Sequence, residues 1–182
     1  MRTPTKNITR NTNNLSLIKD DIFPHIAKHI RAKNDGFSII VPHVCNNVNA
    51  FGGGFTADIV KHYPIVKENY HMLGNVFLKN NPGYVQFVVA DSDPEYGHTL
   101  VFANMICQNG LKSLSNARPL NYFSLCKSMS LVSRYIKQNF EDAKVQIHAP
   151  KFGCGLAGGN WDFMSELFKD IWNNYSVYIY QK

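Results

Sequence analysis

The strongest constraint in this chain is a unit that occurs twice: an apolar run, a glycine-rich loop, then a segment of helical periodicity. Phe37 to Cys45 leads through Asn46-Asn47-Val48-Asn49-Ala50-Phe51 into Gly52-Gly53-Gly54 and a helix. Val145 to Pro150 leads through Lys151-Phe152 into Gly153-Cys154-Gly155-Leu156-Ala157-Gly158-Gly159 and another helix. Glycine lets backbone N–H groups approach a phosphate closely, and a helix N-terminus adds unsatisfied donors and the positive end of a dipole. One such loop alone is as often a tight connection as an anion site. Two on one sheet edge can grip a diphosphate from both sides. Neither loop matches G-x-x-x-x-G-K-S/T or a clean G-x-G-x-x-G, which counts against a Walker ATPase and a dinucleotide oxidoreductase.

The rest of the chain supplies a sheet and its cover. Leu15 to Ile18, Tyr84 to Ala90, Leu100 to Ile106 and Val177 to Tyr180 join the two apolar runs as strand candidates, rich in β-branched and aromatic residues and bounded by Gly, Pro, Asn or Asp. Several lack strict alternation, as strands covered on both faces do. Tyr122, Leu125, Met129, Val132, Ile136 and Phe140 recur at helical spacing after Pro119, giving one long helix with a buried stripe. A second helix follows Gly54, carries Phe55, Ile59, Val60 and Tyr63 and is stopped by Pro64. A third follows Gly159 and carries Trp161, Met164, Leu167, Phe168, Ile171 and Trp172; Asn160 caps it and Asp162 suits its first turn. Strands alternating with helices predict an α/β fold, a three-layer α/β/α sandwich around a mixed, mostly parallel sheet. Residues 1–14 read as a polar leader and 15–182 as a single domain; a length of 182 residues suits one core better than two.

Charge narrows the partner. Nineteen Lys and Arg against 13 Asp and Glu give a net +6, which favours an anion. The basic residues form no block of five or six, so a small phosphorylated ligand satisfies them as well as nucleic acid does, and nothing else indicates nucleic acid. No apolar run approaches the roughly 20 residues of a spanning helix, and the polar start lacks a signal peptide's apolar core, so a cytoplasmic protein without membrane association is expected. Cys45, Cys107, Cys126 and Cys154 form no C-x-x-C pair, and the seven histidines show no H-E-x-x-H spacing, so neither a metal nor a cofactor is expected. Nothing in the pattern calls for more than a monomer.

Four stretches together resemble the macro domain family, whose members bind ADP-ribose. Ile18-Lys19-Asp20-Asp21-Ile22 is similar to the family's acidic motif after its first core strand, with Asp20 where glycine is common. His43-Val44-Cys45-Asn46 followed by Phe51-Gly52-Gly53-Gly54-Phe55 resembles H-x-C-N and W-G-x-G, with Phe51 in place of tryptophan. Ala103 to Gly110 resembles A-N-M-I-x-Q-x-G, and Pro150 to Trp161 resembles P-R-I-G-C-G-L-A-G-G-D/N-W, a long and specific run. The subgroup it resembles most contains ADP-ribose-1''-phosphate phosphatases. Related hydrolases that cleave acyl-linked ADP-ribose use an aspartate in the second loop, where Ala157 stands here, and a lysine on the strand ending near Met105, where none lies between Thr99 and Ile106.

The resemblance implies a ligand, ADP-ribose or ADP-ribose 1''-phosphate, and a role for each motif residue. Asp21 accepts a hydrogen bond from the adenine amino group and the backbone of Ile22 completes base recognition. Gly52, Gly53, Gly54 and Phe55 supply donors around the distal ribose, while Gly153, Cys154, Gly155, Leu156, Ala157 and Gly158 cradle the diphosphate. His43 and Asn46 are the catalytic candidates: an imidazole can move a proton, and an amide can hold the distal ribose or the attacking water. Cys154 has no neighbour in sequence that would make it a nucleophile. Three activities fit these residues: a phosphatase acting on ADP-ribose 1''-phosphate, a hydrolase removing ADP-ribose from protein or nucleic acid, and a reader that only binds.

Overall fold

The computed structural model describes residues 14–33, 36–141 and 144–181. The polar leader lies outside these residues except for Asn14. Its side-chain amide donates to Trp172 O at 2.7 Å and to Tyr175 O at 3.0 Å, and its carbonyl accepts from Val177 N–H.

Six strands, β1 (Leu15–Ile18), β2 (Ser38–Asn46), β3 (Val85–Asp93), β4 (His98–Gln108), β5 (Val145–Pro150) and β6 (Ser176–Tyr180), form one sheet in the order β1-β6-β5-β2-β4-β3. Every neighbouring pair is parallel except β3 with β4. Successive side chains of a strand point to opposite faces, and both faces are covered here. On β4, Val101, Ala103, Met105 and Cys107 pack under α5 (Tyr122–Asn139) and α6 (Trp161–Ile171), with Leu125, Met129, Ile136, Met164 and Phe168. Its alternate residues Leu100, Phe102 and Ile106 face Ile26, Ile30, Ile59, Val66 and Leu78 on α1 (Ile22–Ile30), α2 (Phe55–His62), α3 (Pro64–Met72) and α4 (Gly74–Asn80). The result is the expected α/β/α sandwich.

Three helices go beyond the sequence reading. Pro64 does end α2, but it also opens α3 as a first-turn residue, where its missing N–H has no intrahelical partner to lose. Pro24 is tolerated for the same reason in the first turn of α1, whose face of Ile22, Phe23, Ile26 and Ile30 is buried. The seven-residue α4 presents only Leu78 to the core.

The core also holds a histidine that must stay neutral. His148 is 1% exposed; Gln146 Oε1, 2.9 Å from its Nε2, can only accept, so Nε2 carries the proton and Nδ1 accepts from Tyr180 O–H at 2.8 Å. Burial, with His29 and His25 nearby, pushes its pKa down to about 3. Tyr178 lies against the same ring, and Asp20 holds His25. The unfolded imidazole titrates near the ordinary value of about 6.5, so the unfolded chain takes up a proton that the folded one refuses. Stability is present in full above that value and is lost as the pH falls, by about 1.4 kcal/mol per unit for this histidine. His43, whose pKa burial lowers to about 4, adds to the loss. Thermal melts should show a clear fall in Tm from pH 7.5 to pH 5, smaller in His148→Gln; a flat profile would contradict the buried neutral imidazoles.

Candidate functional site

Five parallel strands end on one edge of the sheet in the order β1, β6, β5, β2, β4. Four steps of roughly 4.8 Å make a groove about 19 Å long, and open α/β sheets place ligands outside the carboxyl ends of their strands. The segment leaving each strand is therefore laid out along the groove. Asp21 comes after β1, Gln181 after β6, the second glycine loop after β5, the first after β2, and the segment from Asn109 to Lys112 after β4.

The middle of the groove is a cleft of two joined chambers. One, of about 250 Å³, lies between the loops and is lined by His43, Gly53, Gly54, Phe55, Gly155 and Ala157 among others. The other, of about 420 Å³, opens toward β4 and is lined by Asn46, Phe51, Gly52, Thr56, Gln108 and Lys112 among others. Leu156, 60% exposed, borders both, and its Cδ1 lies 3.4 Å from where a Cβ on Gly54 would be, so the loops nearly touch. No carboxylate lines either chamber. An anion entering the cleft meets no fixed negative charge there.

The second loop turns through left-handed backbone at Gly153 (φ 79°) and Gly158 (φ 71°). Its carbonyls hold it in place: Gly153 O accepts from Gly159 N–H, Gly155 O from Gly158 N–H at 3.1 Å, and Ala157 O from Leu120 N–H at 3.1 Å. Its donors are left over. No backbone N–H from Gly153 to Ala157 has a hydrogen-bond partner among the described residues. Successive N–H groups in a turn form an anion-binding concavity, and Gly153, Gly155, Leu156 and Ala157 of this run border the smaller chamber. Asn160 caps α6, as expected, accepting from Phe163 N–H at 3.1 Å.

The first loop is arranged differently from the sequence expectation. Gly52 and Gly53 do not present their N–H groups outward; both donate to Thr56 Oγ1, at 2.9 and 3.1 Å, and that hydroxyl donates to Gly53 O. A ligand oxygen must share or replace that hydroxyl. The N–H groups of Gly54 and Phe55 have no partner among the described residues and remain for a ligand.

Asn46 is committed to its own loop. Its Oδ1 accepts from Val48 N–H, Ala50 N–H and Tyr70 O–H, and its Nδ2 donates to Ala50 O at 2.6 Å. His43 lines the smaller chamber yet is 1% exposed, ringed by the edges of Phe51, Phe55 and Phe102. Its Nδ1 lies 3.6 Å from Cys45 Sγ, and its Nε2, facing Asn104 across the β2–β4 pair, lacks a well-formed hydrogen bond. Burial lowers the pKa to about 4, only partly offset by Asn104 and the Val44 backbone, so the imidazole is neutral at pH 7. Burial also raises the thiols: Cys45 lies far above its usual range, and Cys154 is raised despite Lys151 nearby. Neither is a thiolate at neutral pH.

At the β1 end, Asp21 and Lys19, Asp20 and Gln181 line a shallow depression. Asp21 is also the N-cap of α1, its Oδ1 accepting from Phe23 N–H at 3.1 Å, and Ile22 behind it is buried. Removing the carboxylate therefore confounds recognition with capping, which is worth about 1 kcal/mol. Asp21→Asn keeps a capping oxygen and should weaken ADP-ribose binding about tenfold with little change in Tm, whereas Asp21→Ala should lower both. Full affinity in Asp21→Asn would leave the residue a cap alone.

Thr56, Gln108, Leu111 and Lys112 border the larger chamber and are not among the residues the sequence singles out. Gln108 lies inside the stretch resembling A-N-M-I-x-Q-x-G, but only the β2–β4 pairing brings it to the first loop.

No family model matches the chain. A Candida albicans protein named ADP-ribose 1''-phosphate phosphatase is 24% identical over 166 residues, covering 91% of this chain and 99% of that one. Among solved structures, a macrodomain protein from Streptomyces coelicolor superposes with a TM-score of 0.64 at 23% identity, over 92% of this chain and 99% of that one. Thermosipho africanus DarTG in complex with ADP-ribose gives a TM-score of 0.66 at 17% identity, over 93% of this chain and 42% of that longer one. With two glycine loops on neighbouring strand ends carrying the macro-like stretches of sequence, the chain has a macrodomain-like fold.

Proposed function

We propose that the protein binds ADP-ribose along the strand-end groove and removes the phosphate from ADP-ribose 1''-phosphate. The observation that carries this reading is the run of five unpartnered N–H groups from Gly153 to Ala157, facing a second loop across a cleft without carboxylates. A diphosphate supplies the acceptors that such a run lacks. Adenine then falls toward Asp21, and the distal ribose toward Gly54, Phe55 and Asn46. The name of the Candida albicans relative supports the phosphatase step.

In that step water attacks phosphorus, the bond from phosphorus to the C1'' oxygen breaks, and the departing oxygen takes a proton. Only His43, Cys45 and Lys112 among the chamber-lining residues titrate. With Cys45 held as a thiol, His43 is the one neutral base at pH 7 among these residues, its Nε2 buried toward Asn104. The low basicity of this buried imidazole favours one second reading, a protein that binds ADP-ribose without turning it over.

A product-resolved assay separates the readings. With ADP-ribose 1''-phosphate, released inorganic phosphate is expected. Release of ADP-ribose from a mono-ADP-ribosylated protein would instead make the chain a de-ADP-ribosylating hydrolase, and tight ADP-ribose binding without either product would make it a reader.

A further inference from the structure

The far end of the groove, at the carboxyl end of β4, carries a cation. Lys112 lines the larger chamber with Gln108, on the side of the first loop away from the five free N–H groups. Neither the Lys112 ammonium nor the Gln108 amide has a hydrogen-bond or ion-pair partner among the described residues. The backbone bearing the lysine is fixed. Asn109 N–H donates to Pro119 O at 2.9 Å, and Gly110 N–H to Asn47 Oδ1 at 2.8 Å. The Asn116 amide donates to Asn109 O and Leu111 O, at 2.9 and 3.1 Å. A long, otherwise mobile side chain thus starts from an anchored point beside the chamber.

The groove order gives this cation a partner class. If the diphosphate sits at the β5 end and the distal ribose at β2, whatever extends from that ribose lands at β4. The chamber there holds no carboxylate and has one uncompensated positive charge, Lys112, beside the Gln108 amide. We propose that Lys112 receives a phosphate ester on the distal ribose and so makes the cleft discriminate in favour of phosphorylated ADP-ribose over ADP-ribose itself. Gln108 adds an amide donor beside it. This rests on the proposed ADP-ribose binding and assigns its distal end.

The test compares wild type, Lys112→Ala and Lys112→Arg. ADP-ribose affinity is read by calorimetry. The phosphorylated ligand is read by KM for phosphate release or, if no phosphate is released, by direct titration. Lys112→Ala should weaken the phosphorylated ligand by about tenfold and leave ADP-ribose within about twofold, as expected for one charge-assisted contact. Lys112→Arg should recover most of the loss, and the wild-type preference should shrink as ionic strength rises. Equal effects on both ligands, or none on either, would overturn the assignment while leaving the ADP-ribose reading intact. Failure of wild type to bind ADP-ribose at all would overturn that reading, and the role of Lys112 with it.

Discussion

Gly155→Val is expected to weaken ADP-ribose binding by about a hundredfold or more while leaving the fold intact. Gly155 lies at the centre of the free N–H run, and its φ is not in the left-handed region. A Cβ built there meets nothing within 4 Å. A valine therefore strains neither backbone nor packing; its branches fill the space over the donors that a phosphate would occupy. Neighbouring glycines are glycine for another reason. A Cβ on Gly159 would lie 2.6 Å from Gly153 O and 2.7 Å from Leu120 Cδ2, and one on Gly158, at φ 71°, would lie 2.6 Å from Ala117 O. Gly159→Ala should accordingly lower Tm. Circular dichroism with calorimetry reads the contrast; a collapse of Tm in Gly155→Val would show the loop needs that glycine for its own turn.

His43→Ala is expected to act twice. The ring fills a nearly closed pocket among Phe51, Phe55 and Phe102, so its removal should cost about 2–4 kcal/mol of stability through the cavity left behind. If Nε2 handles the proton, turnover of the folded variant should also drop about 10²-fold, with ADP-ribose affinity within a few-fold, because acid–base help is felt mainly in the transition state. With the imidazole lowered to about 4, the wild-type rate should show no His43 limb between pH 6 and pH 7. Measured at a temperature where the variant stays folded, unchanged turnover would remove His43 from the mechanism.

The residues divide by how local their causes are. The strands are legible because burial on both faces leaves contiguous apolar runs such as Ser38 to Asn46, where eight of nine residues are buried. The glycine loops are legible because each is a single stretch of chain next to its strand. Helices α1 and α3 are hidden by Pro24 and Pro64, which sit in first turns, where proline does no harm. Lys112 is hidden because its meaning depends on β4 pairing with β2, and Leu100 is 61 residues from its partner Ile39. The role of Thr56 depends on the conformation of Gly52 and Gly53, with Gly52 at φ 145°. No spacing rule in the sequence announces that conformation.

The proposed function requires that two glycine loops, on adjacent strand ends, together hold a diphosphate with a sugar on its far side. Calorimetric titration of the wild-type protein with ADP-ribose and with AMP tests it most directly, since AMP keeps the adenine and one phosphate but lacks the second phosphate and the distal ribose. ADP-ribose should bind at least about tenfold more tightly than AMP. Equal affinities would mean that the run from Gly153 to Ala157 and the loop at Gly54 do not act on one ligand, and would contradict the account.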